Sequence, residues 1–274
     1  MICSADQSEK MVYFLSDAHI GSRAVNDPQH QLRFVRLLEQ LSKDATAIYL
    51  LGDIFDFWAE YVWHDSSKEE YVPLLTCLKQ LTGRGIAVHY FIGNHDIWTY
   101  GGLARRTGVV IHRKPEVVTV AGKRCMLAHG DGLVPGDYLK QFPKEIQKKI
   151  RSFMRLRKLF HNPVAQTCFR LMPPALGNRI GYNWAKHSRL KELANPCDYK
   201  GENREELVLY AKEQEQVQHM DYYIFGHRHI ELDLELATGA RVVILGDCFR
   251  QWTYASMSPD GKVVLDSWPL AVSH

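Results

Sequence analysis

Residues 89–98 read His-Tyr-Phe-Ile-Gly-Asn-His-Asp-Ile-Trp. Tyr90, Phe91 and Ile92 close an apolar run over 86–92, the length of a buried strand. Gly93 then reads as the turn, and Asn94, His95 and Asp96 follow it directly. Upstream the same design occurs twice. Residues 11–16 (MVYFLS) and 47–51 (AIYLL) read as strands, and each ends in acids and histidines or in Gly-Asp. Between the strands, 31–41 carries apolar residues at Leu32, Phe34, Val35, Leu37, Leu38 and Leu41, a helical period. Residues 69–81 read as a second helix, stopped by Gly83 and Gly85. A β-α-β-α-β order predicts a parallel sheet covered by helices.

Downstream, 116–120 and 123–128 flank Ala121-Gly122, a hairpin signal. Residues 138–193 are helical in pattern, broken at Pro163 and at Pro173-Pro174. A polar helix is expected over 202–219. Strands are expected over 222–225, 232–236, 241–245, 252–257 and 262–265. There is no internal repeat.

The chain has 274 residues, 46% hydrophobic and 24% charged, enough to bury the core of one large α/β domain. No apolar run is long enough to span a bilayer. Residues 1–10 lack the apolar core of a secretory signal. Six scattered cysteines without a CxxC pair fit a reducing cytoplasm. The net charge of +3 conceals an asymmetry. Residues 139–191 contain thirteen Lys or Arg against the single acid Glu145, a local net of +12 that leaves −9 on the rest of the chain. A basic segment on an acidic body suits phosphates, nucleic acid or an anionic membrane surface. We read 137–200 as a basic helical insertion, a lid, within one domain spanning 1–274.

Five polar clusters stand where expected strands stop. They are Asp17 and His19 in SDAH, Asp53 and Asp56 in GDIFD, Asn94 to Asp96 in GNHD, His129 and Asp131 in AHGD, and His227 and His229 in FGHRH. Loops at the carboxyl ends of strands are where open α/β sheets form sites. Imidazole, carboxylate and amide groups suit Mn, Fe or Zn, and no cysteine joins them. Asp17, His19, Asp53, Asn94, His129, His227 and His229 make seven candidate ligands. With one bridging carboxylate, that number serves two metals roughly 3.5–4 Å apart. Any one cluster alone could be ordinary turn chemistry. Five in order, each at a strand end, are not.

The ordered set D-x-H, G-D-x-x-D, G-N-H-D, H-G-D and G-H-x-H resembles the calcineurin-like metallophosphoesterases, over residues 17–229. The resemblance implies an α/β fold, a four-layer αββα sandwich of two mixed sheets flanked by helices. It also implies two divalent ions. Asp17, His19, Asp53 and His229 would hold the first; Asp53, Asn94, His129 and His227 would hold the second, with Asp53 bridging. Two such cations lower the pKa of a bound water and neutralise charge on phosphoryl oxygens. His95, free of metal, would serve the departing oxygen as acid or hydrogen-bond donor. A carboxylate is expected to fix its ring, Asp56 first and Asp96 as the alternative, unless Asp96 only caps the loop.

Phe57-Trp58 after GDIFD, and GNHD instead of GNHE, separate the chain from protein phosphatases. GDIFDFW, HGD followed by Asp137-Tyr138, and a late Leu-Gly-Asp at 245–247 resemble the UDP-2,3-diacylglucosamine pyrophosphatases of lipid A synthesis. Those enzymes also carry a helical insertion between HGD and GHxH, and Mn²⁺ is their usual activator. In the best known of them arginine stands where this chain has His95. The resemblance implies a cytoplasmic enzyme, peripheral to the inner membrane, cleaving an amphiphilic UDP-sugar lipid to UMP and a diacylglucosamine 1-phosphate. In the insertion Arg151, Arg155, Arg157, Lys158 and Arg170 alternate with Ile150, Phe153, Met154, Leu156, Leu159, Phe160 and Phe169. Cations beside apolar side chains suit such a substrate and a membrane surface. Part of that apolar face is also expected to pack on the body. Asp131, Tyr138, Lys186, Ser188 and Arg189 are candidate substrate contacts. The alternatives are an esterase acting on soluble nucleotide pyrophosphates or phosphodiesters and, more remotely, a scaffold without catalysis. No nucleic-acid module is evident.

Overall fold

The computed structural model describes residues 10–22, 24–25, 27–62, 69–136, 138–194 and 198–269, with the side chains of 138, 141, 146 and 191–194 outside the description. Its first half alternates strand and helix: β1 (Met11–Leu15), α1 (His30–Leu41), β2 (Ala45–Leu51), α2 (Val72–Gly83), β3 (Ala87–Phe91), α3 (Gly102–Thr107) and β4 (Val110–His112). The hairpin β5 (Glu116–Val120) and β6 (Lys123–Ala128) follows. Three helices come next, α4 (Lys144–Phe160), α5 (Pro163–Leu171) and α6 (Pro174–Ala194). The chain ends with α7 (Glu206–Glu215), β7 (Tyr222–Phe225), β8 (Glu231–Glu235), β9 (Arg241–Leu245), β10 (Thr253–Met257) and β11 (Val263–Ser267).

One sheet has the order β11-β10-β1-β2-β3-β4 and the other β5-β6-β7-β9-β8. Strands β1 to β4 are mutually parallel, as are β6, β7 and β9; antiparallel pairings add β10 and β11 beside β1, and β5 and β8 at the two edges of the second sheet. Seven parallel strands therefore present their carboxyl ends to one rim.

The period-two patterns of these strands explain the layers. Phe14, Tyr49, Leu51, Phe91, Leu127, Ile224, Val243 and Leu245 face inward and form the core between the sheets. Alternate residues Leu15, Ile48, Leu50, Val88 and Tyr90 pack on Phe34, Leu37 and Leu38 of α1 and on Leu74, Leu78 and Leu81 of α2. On the far side, Met126, Tyr223, Phe225, Val242 and Ile244 pack on Leu207, Val208 and Ala211 of α7. The result is the expected αββα sandwich. Ala121 and Gly122 both take positive φ (47° and 75°) at the β5–β6 turn, as the hairpin signal requires. Strand β4 and helix α3 carry too few residues for a periodic signal and were not foreseen. The polar helix is shorter than its pattern, 206–215 instead of 202–219.

The helices after β6 are anchored by aromatics. Trp98 stacks on Phe169 of α5 with centroids 3.9 Å apart, and touches Phe160 of α4. Tyr61 stacks on Phe169, and Phe57 meets Tyr182 edge-on. The apolar face of the inserted helices thus packs on the loops that follow β2 and β3. Such pairs contribute on the order of 1 kcal/mol each beyond area burial. Not all of the apolar residues are covered: Phe153, Leu156, Leu159, Val164, Leu171, Leu176 and Ile180 remain exposed.

Candidate metal centre

A strand continued in ideal geometry would point successive side chains to opposite faces, and could not aim two at one spot. The chain departs from that geometry. Asp17, His19, Asp53, His227 and His229 all adopt left-handed φ, between 46° and 69°. They are five of the seven non-glycine residues with positive φ among those described. Such conformations cost roughly 1–3 kcal/mol each and persist only where the surroundings enforce them. Here the strain swings side chains from β1, β2 and β7 toward a common point.

The ligand-type atoms converge accordingly. Three groups, Asp17–His19–His229, His19–Asp53–His95 and Asp53–His129–His227, each offer atoms within 4.8 Å of one another. Asp53 belongs to two of them. Its Oδ2 lies 3.3 Å from His129 Nε2 and 3.9 Å from His19 Nε2. Asp17 Oδ1 lies 3.3 Å from His229 Nε2 and 3.7 Å from His19 Nε2. Asn94 Oδ1 sits 3.3 Å from His129 Nε2. The seven residues expected at one place are at one place.

The donors fit divalent cations. Asp17 Oδ1 and His19 Nε2 are buried and have no hydrogen-bond partner. Leaving such atoms unsatisfied costs roughly 1–3 kcal/mol each, and a cation satisfies both. Electrostatics agree. Burial raises the Asp17 carboxyl above its usual range, with Asp53 adding to the shift against the pull of His229 and His129. Burial would lower His129, yet Asp53, Asp17 and Asp131 hold its imidazole well above the ordinary value. The cluster calls for positive charge.

The surrounding groups aim the ring nitrogens. The Leu51 carbonyl accepts from His129 Nδ1 at 2.8 Å, which leaves the Nε2 lone pair facing Asp53. His229 Nδ1 is 3.6 Å from Asp247 Oδ2, so its Nε2 faces Asp17. Asp247 follows β9 at the same rim and was missed as a site residue. The Leu-Gly-Asp that ends this strand is the signal that could have found it. Burial would raise its carboxyl, but the bond to His229 and the main-chain N–H groups of Gln251 and Arg250 hold it at about 2. In Asp247→Asn, Oδ1 can still accept those N–H groups, while the amide presents a donor to His229 Nδ1. The ring then takes the wrong tautomer, and metal affinity is expected to fall roughly 10–100-fold in a calorimetric titration.

Two expectations need correction. No carboxylate fixes the His95 ring. Nδ1 donates to the main-chain carbonyl of Asp56 at 2.7 Å, while Asp56 Oδ1 is 4.0 Å away. That oxygen instead lies 3.4 Å from His19 Nδ1 and 3.6 Å from Arg189 Nε. Asp96 does not approach His95 either; it accepts from Ile54 N, Gly93 N and Tyr90 Oη and ties the β2 and β3 loops together. Gly93 follows β3 without positive φ. A Cβ there would collide with Asp53 Oδ1 and lie 2.6 Å from Asp53 N. The glycine is required by close approach.

The candidate substrate residues divide. Arg189 of α6 is buried, and its guanidinium donates to His95 Nε2 at 3.5 Å. Asp131 accepts from Arg157 Nε of α4 at 2.5 Å. Ser188 and Asp131 line a cleft of about 340 Å³ that reaches Asn94 and His227 and is walled by Ile97, Phe153, Leu156, Phe160 and Trp184. Lys186 is exposed and does not line it. Tyr138 begins a short 3₁₀ turn, and its side chain lies outside the described residues.

The sequence profile of the calcineurin-like phosphoesterases matches residues 11–231. The chain belongs to that family. As a member it is a metal-dependent phosphoester hydrolase, and the family implies the divalent ions that the Asp and His clusters fit. A Porphyromonas gingivalis protein described as UDP-2,3-diacylglucosamine hydrolase is 34% identical over 257 residues, which cover 89% of this chain and 92% of that relative. A Neisseria meningitidis serogroup A protein of the same description is 27% identical over 248 residues, 90% of this chain and 93% of the relative.

Proposed function

We propose that this phosphoesterase hydrolyses the pyrophosphate of UDP-2,3-diacylglucosamine, releasing UMP and 2,3-diacylglucosamine 1-phosphate for lipid A synthesis. One observation carries the reading. The cleft that opens on the ligand cluster is walled by aliphatic and aromatic side chains from the inserted helices and from Ile97. Aliphatic Ile97 and Leu156 beside the aromatic rings suit acyl chains, and Phe153 and Leu156 continue the apolar surface out to solvent. The descriptions of the two relatives support the same substrate.

In this reading Asp17, His19, Asp53 and His229 hold one ion, and Asp53, Asn94, His129 and His227 hold the other. When bound, the two cations acidify water and neutralise phosphoryl charge; Mn²⁺ is the expected ion, with Fe or Zn as alternatives. The chain's own groups do the rest. The Asp56 carbonyl holds the His95 Nδ1 proton and turns Nε2 toward the scissile phosphate. Nε2 serves the departing oxygen, with Arg189 beside it to offset negative charge. The Arg157–Asp131 pair ties α4 to the loop after β6, so that the helices of 137–200 act as the lid over the cleft.

No described helix is long and apolar enough to cross a membrane. The exposed Leu156, Leu159, Val164 and Leu171 stand among Arg151, Arg155 and Lys158. That mixture supports peripheral attachment of the lid to the cytoplasmic face of the inner membrane, where the substrate lies.

Purified protein with Mn²⁺ and UDP-2,3-diacylglucosamine is expected to yield UMP. In ¹⁸O-labelled water the label enters UMP, since attack falls on the α-phosphorus. Cleavage of a generic phosphodiester without UMP release from the lipid would reject this substrate and leave the metal centre standing.

A further inference from the structure

A second cavity, of about 370 Å³, adjoins the cleft and shares Ile97 and Arg157 with it. Its lining includes Arg113, Lys114, Arg157, His161 and Gln166, with no carboxylate. Arg157 already serves Asp131. Arg113 donates only to the Thr99 carbonyl among the described residues, and its guanidinium carbon lies 5.9 Å from the Tyr100 ring centroid. The guanidinium of Arg170 lies over the same ring at 4.5 Å, and its buried Nε has no hydrogen-bond partner. Tyr100 Oη reaches the Gln166 carbonyl, which joins this group to the cavity. Neither Arg113, Lys114 nor Arg170 forms an ion pair with a carboxylate among the described residues.

Cations gathered on one ring and one cavity repel one another, and proteins ordinarily intersperse acids among them. Here Arg157 alone has its acid, Asp131, and the other cations are carried on the loop after β4 and on α5. We propose that this cavity is a second phosphate-binding site beside the cleft, with Ile97 and Arg157 on the boundary, whichever phosphoester the cleft takes. The ligand class is a phosphate monoester or diester. Guanidinium, ammonium and amide donors match its oxygens, and the cavity leaves room for water or an esterified alcohol. Free phosphate and a phospholipid headgroup share this chemistry. The exposed Leu159 and Val164 near the α4–α5 junction make the second a concrete source.

His161 reports on the site without reference to activity. Burial lowers its pKa, and the charges of Arg157 and Arg113 lower it further against the opposing pull of Asp131. An anion in the cavity reverses the field of the cations. Proton NMR of the zinc-loaded protein is therefore expected to show the His161 pKa rising toward the ordinary imidazole range as inorganic phosphate is added. Lys114→Ala and Arg113→Ala are each expected to weaken that response roughly tenfold, the worth of one charge-assisted hydrogen bond. Co-sedimentation with phosphatidylglycerol or phosphatidylcholine vesicles separates the sources. Loss of phosphatidylglycerol binding in Lys114→Ala identifies a headgroup; unchanged vesicle binding beside a phosphate response of His161 that the substitution weakens identifies free phosphate. A His161 titration unmoved by phosphate, with vesicle binding that Lys114→Ala leaves unchanged, overturns the site. So does a phosphate response that survives both substitutions.

Discussion

Asp53→Asn is expected to reduce phosphoester hydrolysis by ~10³-fold or more, equivalent to at least about 4 kcal/mol of transition-state stabilisation. The reason is position. Asp53 alone among the carboxylates belongs to two of the three ligand groups. Asparagine is chosen because it preserves the local fold. Its Oδ1 can still accept from His95 N, as the carboxylate does at 2.8 Å, and its volume is unchanged beneath Gly93. What changes is charge: the oxygen facing His129 Nε2 becomes an amide donor. Metal stoichiometry, read by elemental analysis, is expected to fall from two ions to at most one. Thermal melting supplies an independent reading. Ions that bind only the folded state raise Tm with concentration. That rise should shrink sharply in Asp53→Asn, while the melt in chelator moves down, because the carboxylate paired with the buried His129 imidazole has been removed. Two retained ions with unimpaired turnover would refute the bridging role.

Much of this was legible in the sequence because the two strongest signals are local. Apolar runs in β1, β2, β3, β6, β7 and β9 marked the strands, and the polar residues that stop each run marked the rim. What was not legible is three-dimensional. That five candidate ligands adopt left-handed φ could not be read from Asp or His, since neither is obliged to do so. The support of His95 was assigned to a side chain because carboxylates are visible in a sequence, whereas main-chain carbonyls are the same everywhere. The Leu-Gly-Asp that ends β9 counted only toward the resemblance, and Asp247 received no role, because nothing in the sequence places His229 beside it. The inserted helices showed their cations and aromatics, but not which aromatics meet Trp98 and which line the cleft. That division depends on the loops after β2 and β3, far away in sequence.

Gly93 gives the sharpest test of how tightly the centre is built. Gly93→Ala is expected to lower activity by roughly 10²–10³-fold, or about 3–4 kcal/mol. The backbone is not the obstacle, because φ at Gly93 lies outside the left-handed region. The obstacle is Asp53, whose carboxylate and main-chain nitrogen occupy the space a Cβ needs. Neither can yield without loss. Asp53 N follows directly on the strained turn at the end of β2, and Asp53 Oδ1 is fixed by the His95 N–H. One methyl group therefore displaces the Asp53 carboxylate and the loop bearing Asn94 and His95 together. Gly83→Ala is the matching control. It sits at the end of α2 with open space where the Cβ would go, and is expected to be neutral or to stabilise by about 0.5–1 kcal/mol. If the added methyl merely perturbed folding, Gly93→Ala would lose activity in proportion to its lower melting temperature and bind both ions once folded. If it displaces Asp53, metal affinity falls in protein that is still folded, and excess Mn²⁺ restores only part of the rate.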